Sequence, residues 1–443
     1  MPASTSSSPF HSSILIVGAG ILGTSTAYHL AHSPSHDPAD VTVLDRSPSP
    51  PDPAASNDIN KIIRADYSSR FYAELAYEAI DAWASWPELK PYYHRTGWVM
   101  LDKEGSDLAE RIRSVLREIG RDRTEDVALR EIGKRWGGVL EGTDVKGFRD
   151  GYWNPEAGWC EAGKATRSMM EAATKRSVKY VCGDVERLVL SEGGVTGVRT
   201  KDGTFYTADK IVLATGAWTS GIMTEVEDEL NIREDGRVEK QATAAGVAVA
   251  HFKMSDTEMR ELESMPVVVY GDNGEAIPPP KDNRLLKFTN ANTFTNTITT
   301  KSGHRISVPP DRDQHIVSRK LQGETDKIMM SKVMPRFTKN KPADYWRLCW
   351  DARTPSQDQL MTKHPHPRLG NLYLAVGGSF HSYKFLPNIG KYMVNVLDGV
   401  SNGDERDQAW GWKSEAFSGR GAHEKTEPKR ELCDLDDTVA AKL

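Results

Sequence analysis

The chain has 443 residues, of which 38% are hydrophobic, and a formal net charge of -5 from 57 basic and 62 acidic side chains. This length exceeds the usual size of one hydrophobic core, so two interleaved domains are expected. The near balance of charge gives no reason to propose nucleic acid or an anionic membrane as a partner. No apolar run approaches the ~20 residues that span a bilayer, so no membrane segment is expected.

The chain ends and the cysteines indicate a compartment. Residues 1–13 form a Ser-rich leader without the basic and apolar layout of a secretory signal, which favours a soluble intracellular protein. The 4 cysteines contain no CxxC pair and exclude a disulfide-rich scaffold. The last residues, Ala441, Lys442 and Leu443, resemble the Ser-Lys-Leu signal that a peroxisomal import receptor reads. A peroxisomal location is therefore expected, or otherwise a cytoplasmic one, with residues 416–443 forming a mobile tail.

The first elements of the chain predict a nucleotide-binding unit. Residues 14–17 are a short aliphatic run stopped by glycine, which is typical of a fully buried strand. Apolar residues then fall near helical spacing over 21–31, and residues 41–44 supply a second buried strand. This order of strand, tight glycine turn, helix and strand is the nucleotide-binding half of a doubly wound sheet.

A GxGxxG motif lies at the turn between that strand and that helix. Gly18 permits the sharp turn, Gly20 lets backbone N–H groups approach a pyrophosphate, and Gly23 lets helix and strand pack closely. The helix N-terminus stabilises the anionic phosphates. Asp45 ends the second strand, after an insertion at 33–39, where an acidic side chain accepts hydrogen bonds from ribose hydroxyls. The motif predicts a bound dinucleotide but does not decide between FAD and NAD.

The pattern changes twice beyond residue 97. Residues 98–151 contain a charged amphipathic helix at 106–119 and turns, without a cofactor signature, and residues 229–341 are rich in Thr, Val and turn residues. Both regions are assigned to a substrate domain, the second as an antiparallel sheet. The segments between and after them resume buried strands and hairpins. The predicted elements there are a helix over 164–175, hairpins between 180 and 206, buried strands at 211–216 and 372–376, and a helix over 389–397.

Four further segments carry a resemblance to a known family. They are residues 56–64 (Ser-Asn-Asp-Ile-Asn-Lys-Ile-Ile-Arg), 285–287 (Leu-Leu-Lys), 345–350 (Tyr-Trp-Arg-Leu-Cys-Trp) and 377–391 (Gly-Gly-Ser-Phe-His-Ser-Tyr-Lys-Phe-Leu-Pro-Asn-Ile-Gly-Lys). Together with the glycine motif they resemble the FAD-dependent amine oxidases of the monomeric sarcosine oxidase and fructosyl amino acid oxidase (amadoriase) group, which includes the fungal saccharopine and pipecolate oxidases. The resemblance extends from Gly18 to Lys413.

The resemblance implies an α/β plus α+β fold. Its first part is a Rossmann-like FAD-binding domain of the glutathione reductase and D-amino acid oxidase type, built from residues 14–97, 152–228 and 342–415. Its second part is an antiparallel-sheet substrate domain built from residues 98–151 and 229–341. Both domains are discontinuous, and a monomer is expected.

The resemblance also implies roles for five side chains. The position of Arg64 clamps the substrate carboxylate, which its planar guanidinium matches, and Lys384 helps to hold the same group. Lys287 matches the position credited with activating dioxygen, because a fixed cation stabilises superoxide. The position of Lys61 carries a basic residue near the flavin ring. Cys349 matches the cysteine that forms a thioether with the flavin 8-methyl carbon, since a thiolate is the nucleophile for such a bond.

Backbone groups of the segment 377–391 contact the flavin in the family, and the helix beginning near Asn388 would favour negative charge on the reduced ring. Phe380 departs from relatives, which usually carry glycine there, so its bulk is expected to narrow the pocket. No metal ligand is assigned. The expected FAD-binding residues are Gly18, Gly20, Ile21, Leu22, Gly23, Asp45, Arg46, Asn57, Asn60, Lys61, Val185, Cys349, Phe380 and Lys384.

Two departures indicate the branch of the family. Fructosyl amino acid oxidases carry an acidic residue at the position aligned with Ala291 and an arginine near the position of Lys413, and without them sugar hydroxyls and a distal carboxylate lose polar partners. Arg64 with Lys384 instead suggests a compact carboxylate clamp. The expected substrate is a secondary amino acid such as saccharopine, pipecolate or an N-methyl amino acid. Hydride transfer to FAD, followed by reoxidation with dioxygen, would give an imine and hydrogen peroxide.

Three alternatives remain open at this point. A deglycating oxidase of altered specificity shares the whole set of motifs. A nicotinamide-dependent dehydrogenase shares the unit from Gly18 to Asp45 but predicts no bound yellow chromophore. A structural protein that merely holds flavin predicts no reduction by any amine.

Overall fold

The computed structural model describes residues 10–424 and 428–437. The Ser-rich leader before residue 10 and the tripeptide 441–443 lie outside the described residues, so the expectations attached to them stay predictions. Within the described part, no helix is both long enough and apolar enough to cross a bilayer.

The described chain folds into strands that form two large sheets and two small ones. In chain order they are β1 Phe10–Val17, β2 Val41–Asp45, β3 Lys61–Ile63, β4 Tyr93–His94, β5 Trp98–Lys103, β6 Glu125–Asp126, β7 Phe148–Asn154, β8 Gly158–Cys160, β9 Lys179–Cys182, β10 Val185–Ser191, β11 Gly194–Thr200, β12 Phe205–Leu213, β13 Thr243–Lys253, β14 Val267–Tyr270, β15 Gly274–Ile277, β16 Leu285–Asn290, β17 Thr297–Thr299, β18 Arg305–Ser307, β19 Tyr345–Arg353, β20 Leu360–Lys363 and β21 Leu372–Val376.

Helices cover both large sheets. In chain order the α-helices are α1 Ile21–His32, α2 Arg70–Ser85, α3 Leu108–Glu118, α4 Ala162–Lys175, α5 Thr219–Glu229, α6 Asp256–Glu261, α7 Arg319–Thr325, α8 Ser331–Val333, α9 Pro335–Thr338, α10 Ile389–Asp398, α11 Asp404–Trp410 and α12 Leu432–Leu435. The helices predicted over 106–119, 164–175 and 389–397 correspond to α3, α4 and α10.

The first sheet is the doubly wound sheet that the glycine motif predicts. Its parallel core has the order β9-β2-β1-β12-β21, with β20 antiparallel to β21 and the hairpin β10-β11 extending one half of β12. The strand β1 begins at Phe10, four residues before the predicted start, because Phe10 already pairs with Tyr206 of β12. Continuous aliphatic runs suit β1 and β12 because helices cover both faces of such a sheet.

The second sheet has the order β19-β13-β16-β15-β14-β5-β7-β6. Its neighbours are antiparallel except β5 and β14, which run parallel. The predicted antiparallel substrate sheet is therefore mixed at one pair. The predicted range 342–415 placed β19 with the FAD-binding domain, but β19 pairs along its whole length with the long strand β13 of the second sheet. The remaining domain limits stay predictions.

Close packing of α10 on α1 brings the end of the chain back to the nucleotide motif. A Cβ at Gly390 would lie 2.1 Å from the Ser25 carbonyl carbon, so only glycine fits there. The Gly390 N–H also donates to Ser25 Oγ at 2.8 Å. This contact places the segment before α10, which holds Lys384, beside the carboxyl ends of the first sheet.

Candidate active site

One cavity contains most of the residues to which the sequence assigns a role. It lies between the carboxyl ends of β1, β2, β12 and β21 and one face of the second sheet, and its empty space, part of it open to solvent, is about 1920 Å³. Ligands of doubly wound sheets bind at the carboxyl ends of the strands, so the cavity lies in the place where a dinucleotide would bind.

The glycine motif forms one end of this cavity. Gly18 has a φ of 102°, and a Cβ there would lie 2.4 Å from the Ala214 carbonyl oxygen. A Cβ on Gly23 would lie 1.9 Å from the Gly18 carbonyl oxygen. A Cβ on Gly20 would have Ser56 Oγ, at 3.5 Å, as its nearest neighbour, so the missing side chain leaves space for a ligand beside the first turn of the helix that begins at Ile21. These geometries fit a pyrophosphate bound to backbone N–H groups.

The ribose end is built by the ends of β2 and β10. Asp45 lines the cavity, and its carboxylate accepts hydrogen bonds from Ala19 N and Arg46 N, both at 2.7 Å. Arg46 lies over the Trp218 ring with 4.8 Å to its centre, and Val185 lines the cavity beside them. Asp45, Arg46 and Val185 therefore line the same cavity as the glycine motif, and their contacts to adenosine stay a prediction.

The second sheet forms the floor of the other end. Side chains alternate between the two faces of a strand, so every second residue of β13, β15, β16 and β19 points into the cavity. Cys349 is opposite Val247, and Thr289 is opposite Glu275, with Lys287 two positions before Thr289 on the same strand face. This alternation brings Lys287 and Cys349, which belong to two separate segments of the sequence, onto one surface.

A buried carboxylate, Asp58, holds Lys287 of the floor and Lys61 of β3. Asp58 Oδ2 lies 2.6 Å from Lys287 Nζ and 2.9 Å from Lys61 Nζ, and Lys287 also donates to the Asn60 carbonyl at 2.9 Å. Burial alone would raise the pKa of Asp58, but Lys287, Lys61 and Arg347 hold it well below its usual value. Burial lowers the pKa of Lys287, and Asp58 opposes that shift. The two lysines thus bring positive charge into a buried site, where the Asp58 carboxylate is their shared counterion.

A second buried lysine, Lys384, lines the same cavity. Lys384 Nζ donates to Tyr67 Oη at 2.9 Å and to the His381 carbonyl oxygen. Burial and then the charge of Arg64 hold the pKa of Lys384 well below its usual value. An anion bound between Lys384 and Arg64 would offset both effects and favour the charged lysine.

Arg64 lies between two aromatic rings. Its guanidinium carbon is 4.6 Å from the centre of the Tyr67 ring and 4.8 Å from that of Trp98. It donates to the Asp66 carbonyl, and its Nη2 is 3.1 Å from His423 Nδ1. The Asp66 carboxylate accepts a hydrogen bond from Trp98 Nε1 at 3.0 Å and so fixes one of the rings. The guanidinium is held in place by stacking and hydrogen bonds and lines the cavity.

The loop after β21 adopts a backbone that suits glycine better than phenylalanine. Phe380 has a φ of 62°, which is uncommon for a bulky residue. Its N–H donates to Asp351 Oδ2 at 2.8 Å, and a Cβ on Gly378 would lie 2.5 Å from the same carboxylate. Burial raises the pKa of Asp351 to about 6. The carboxylate of Asp351 therefore holds the loop that lines the cavity next to Lys384.

The family comparison identifies the class of the chain. A family model described as DAO, FAD dependent oxidoreductase, matches residues 13–396. The chain belongs to the DAO family of FAD-dependent oxidoreductases. The membership decides for FAD, which the glycine motif alone left open, and it confirms the expected flavoprotein class and fold.

Individual relatives of the DAO family support the same group. L-saccharopine oxidase of Schizosaccharomyces pombe is 26% identical, over 91% of this chain and 93% of its own length. Peroxisomal sarcosine oxidase of Homo sapiens is 23% identical, over 86% and 91%. The crystal structure of the deglycating enzyme fructosamine oxidase from Aspergillus fumigatus (Amadoriase II) has a TM-score of 0.79 and 26% identity, and it covers 96% of this chain and 97% of its own. The expected resemblance is confirmed.

Three residues expected to bind FAD do not line the cavity. Gly23 serves the packing of α1 on β1. Asn57 accepts from Arg347 through its carbonyl oxygen, and Asn60 donates from Nδ2 to the Pro278 carbonyl at 2.9 Å. Asn57 and Asn60 therefore shape the segment that carries Lys61. The other expected residues of this DAO chain line the cavity.

Three residues of the site, Asp58, Glu275 and His423, were not predicted from the sequence. Asp58 lies in the segment 56–64, and Lys61 and Lys287 were a signal that a carboxylate counterion is needed. Glu275 and His423 line the cavity from a strand and from the segment after Trp412, and no local pattern marks either one. Of the two departures used to choose the branch, Ala291 lines the cavity, whereas Lys413 instead donates to the Ala409 carbonyl at 3.0 Å.

Proposed function

We propose that the chain is an FAD-dependent oxidase of a secondary amino acid, such as saccharopine, pipecolate or an N-methyl amino acid. The observation that carries the proposal is the pair of buried cations, Arg64 and Lys384, in the same cavity as the nucleotide motif. Two cations there fit a carboxylate next to the amine to be oxidised. The similarity to L-saccharopine oxidase supports this choice.

The residues of the chain bind and orient the substrate, whereas the chemistry belongs to the cofactor. When bound, FAD accepts a hydride from the carbon beside the amine, and dioxygen then reoxidises it to give hydrogen peroxide. Arg64 holds the carboxylate in a geometry fixed by Tyr67 and Trp98, which lowers the entropic cost of positioning. The positive charges also favour an amine that binds without a proton. Lys287 supplies a fixed cation for the negative charge that develops on dioxygen.

We further propose that Cys349 forms a thioether with the flavin 8-methyl carbon, in which the thiol S–H and one methyl C–H are lost and dioxygen takes up the two electrons. Its side chain points from β19 into the cavity and is buried beside Val247 and Phe380. Lys61 lies close enough to interact electrostatically with it. The sulfur atom therefore faces the space in which the flavin is proposed to bind.

The substrate proposal is tested by measuring peroxide release from a panel of amines. The purified protein should oxidise at least one of saccharopine, pipecolate and N-methyl amino acids, and primary amino acids with the same side chains should react far more slowly. Peroxide release from none of the secondary amino acids would overturn the proposal.

A deglycating oxidase is the second candidate, because the solved structure of Amadoriase II resembles this chain over almost its whole length. The cavity also contains a carboxylate, Glu275, near Ala291, and a carboxylate can accept hydrogen bonds from sugar hydroxyls. Fructosyl valine and fructosyl lysine in the same panel separate the candidates. Peroxide from these compounds, without peroxide from the secondary amino acids, would select the deglycating activity.

The chain is proposed to act as a monomer inside peroxisomes. The support for the location is the tail of Ala441, Lys442 and Leu443 and the name of the human relative, peroxisomal sarcosine oxidase. A fluorescent fusion with the natural C-terminus should co-localise with a peroxisomal marker, and removal of these three residues should disperse it. Sedimentation at several protein concentrations tests the monomer.

A further inference from the structure

Glu275 faces the substrate end of the active-site cavity. It lies on β15 directly across from Thr289 of β16, and paired side chains in such positions are ~4.5–5.5 Å apart at Cβ. It lines the cavity together with Arg64 and Lys384, and its charge acts on Lys384. The Glu275 carboxylate is therefore near the proposed carboxylate clamp.

The other acids that line the cavity already have partners. Asp45 and Asp351 accept from backbone N–H groups, Asp58 pairs with two lysines, and Asp184 lies 2.7 Å from Lys201. Over residues 10–424 and 428–437, the side chain of Glu275 makes no hydrogen bond and no ion pair with the protein. A half-buried carboxylate without a protein partner remains available to accept hydrogen bonds from a ligand.

A second, smaller cavity begins at the same residue. Its empty space is about 530 Å³, and it shares Arg64, Glu275 and His423 with the active-site cavity. Its walls include the apolar side chains of Met100, Leu108, Ile112 and Val269. An aliphatic chain that starts at the clamp can therefore lie against these apolar side chains and place a polar group at its far end beside Glu275.

The segment after Trp412 closes one side of this space. The His423 N–H donates to Gln357 Oε1 at 2.8 Å, and Glu424 is tied to Arg111 and Ser68. Glu424 is thus already neutralised by Arg111. Of the carboxylates that line the second cavity, Asp66 is likewise occupied by Trp98, so Glu275 is the acid available to a ligand among the described residues.

We propose that Glu275 binds a primary ammonium group carried on the N-substituent of the substrate, with the aliphatic part of that substituent in the second cavity. The inference rests on the proposed function and narrows its substrate class. It selects secondary amino acids that have a second, distal ammonium group, of which saccharopine is one. Pipecolate and simple N-methyl amino acids lack such a group and would leave Glu275 unpaired.

The experiment compares two substrates and two variants. The substrates are saccharopine and N-(5-carboxypentyl)glutamate, which has the same length but no distal ammonium. The variant is Glu275→Gln, which keeps the shape but removes the charge, and the matched control is Glu192→Gln in an exposed turn. Anaerobic rapid mixing of the holoenzyme gives the substrate Kd and the limiting rate of flavin reduction separately.

Wild type should bind saccharopine about 10- to 100-fold more tightly than the analogue, because a charge-assisted hydrogen bond contributes about that much. Glu275→Gln should remove this preference by raising the saccharopine Kd, with the limiting rate nearly unchanged. Glu192→Gln should behave as wild type. The wild-type preference is itself a test that needs no variant, in case Glu275→Gln does not fold.

Three results would overturn the inference while the proposed function stands. Equal binding of the two substrates by wild type shows that no ammonium is recognised. Equal weakening of both by Glu275→Gln shows that Glu275 only balances the charges of Arg64 and Lys384. Loss of fructosyl valine oxidation in that variant assigns Glu275 to sugar hydroxyls instead. Absence of flavin reduction by every secondary amino acid rejects the proposed function, and the inference with it.

Discussion

The substitution Lys287→Met isolates the proposed oxygen-activating charge. Lys287 is only 2% exposed and donates to Asp58 and to the Asn60 carbonyl. In the variant Asp58 keeps its ion pair with Lys61 at 2.9 Å, so no unpaired charge is left in the interior. The stability loss should then be about 1–3 kcal/mol, from the lost hydrogen bonds, rather than the ~3–5 kcal/mol of a broken buried ion pair.

The kinetic effect of Lys287→Met should be confined to one half of the reaction. Loss of one preorganised group that stabilises developing negative charge commonly costs about 10²–10³ in rate. We expect reoxidation of the reduced enzyme by dioxygen to slow by about that factor, and anaerobic reduction by saccharopine to slow by less than ~10-fold. Stopped-flow absorbance measures both steps, and Lys287→Arg should recover part of the reoxidation rate. Equal slowing of the two steps would refute the assigned role.

Three other perturbations test separate parts of the molecule. Cys349→Ser should still bind flavin, but acid denaturation should then release the yellow colour that stays with the wild-type polypeptide; release from both proteins would exclude the bond. Gly18→Ala should abolish flavin binding, because its Cβ would lie 2.4 Å from the Ala214 carbonyl oxygen. An unchanged flavin content would contradict the role of the glycine motif in binding the pyrophosphate. Burial raises the pKa of Glu227 to about 7, so the folded state holds this proton more tightly than the unfolded state, and stability should fall as pH rises from ~4.5 to ~7. Glu227→Gln keeps the acceptor for the Val238 N–H and should flatten that fall in thermal unfolding, whereas an unchanged slope would reject this assignment.

Local patterns in the sequence were enough for the nucleotide half of the fold. Gly18 and Gly20 are required by a turn that forms within a few residues, and the aliphatic runs 14–17 and 211–213 are buried on both faces, although the second strand ends at Leu213 rather than at the predicted residue 216. The local sequence does not determine which strand pairs with which. The segment 345–350 has the composition of a strand, but only the three-dimensional fold decides that it pairs with β13 in the second sheet.

The missing parts of the site come from contacts between distant segments. Asp58 reaches Lys287 across 229 positions of the chain, and His423 reaches Arg64 across 359. Such pairs leave no periodicity in the sequence. Phe380 is a second example of what the sequence does not show. The sequence shows that the residue is bulky, but only the structure shows that its backbone has the positive φ that glycine adopts easily.

The most direct test of the account is an anaerobic titration of the purified protein, followed by its flavin absorbance. The oxidised protein should be yellow, and stoichiometric saccharopine or another secondary amino acid should bleach it, with the colour returning when air is admitted. A yellow protein that no secondary amino acid bleaches would contradict the proposal that Arg64 and Lys384 present such a substrate to the cofactor.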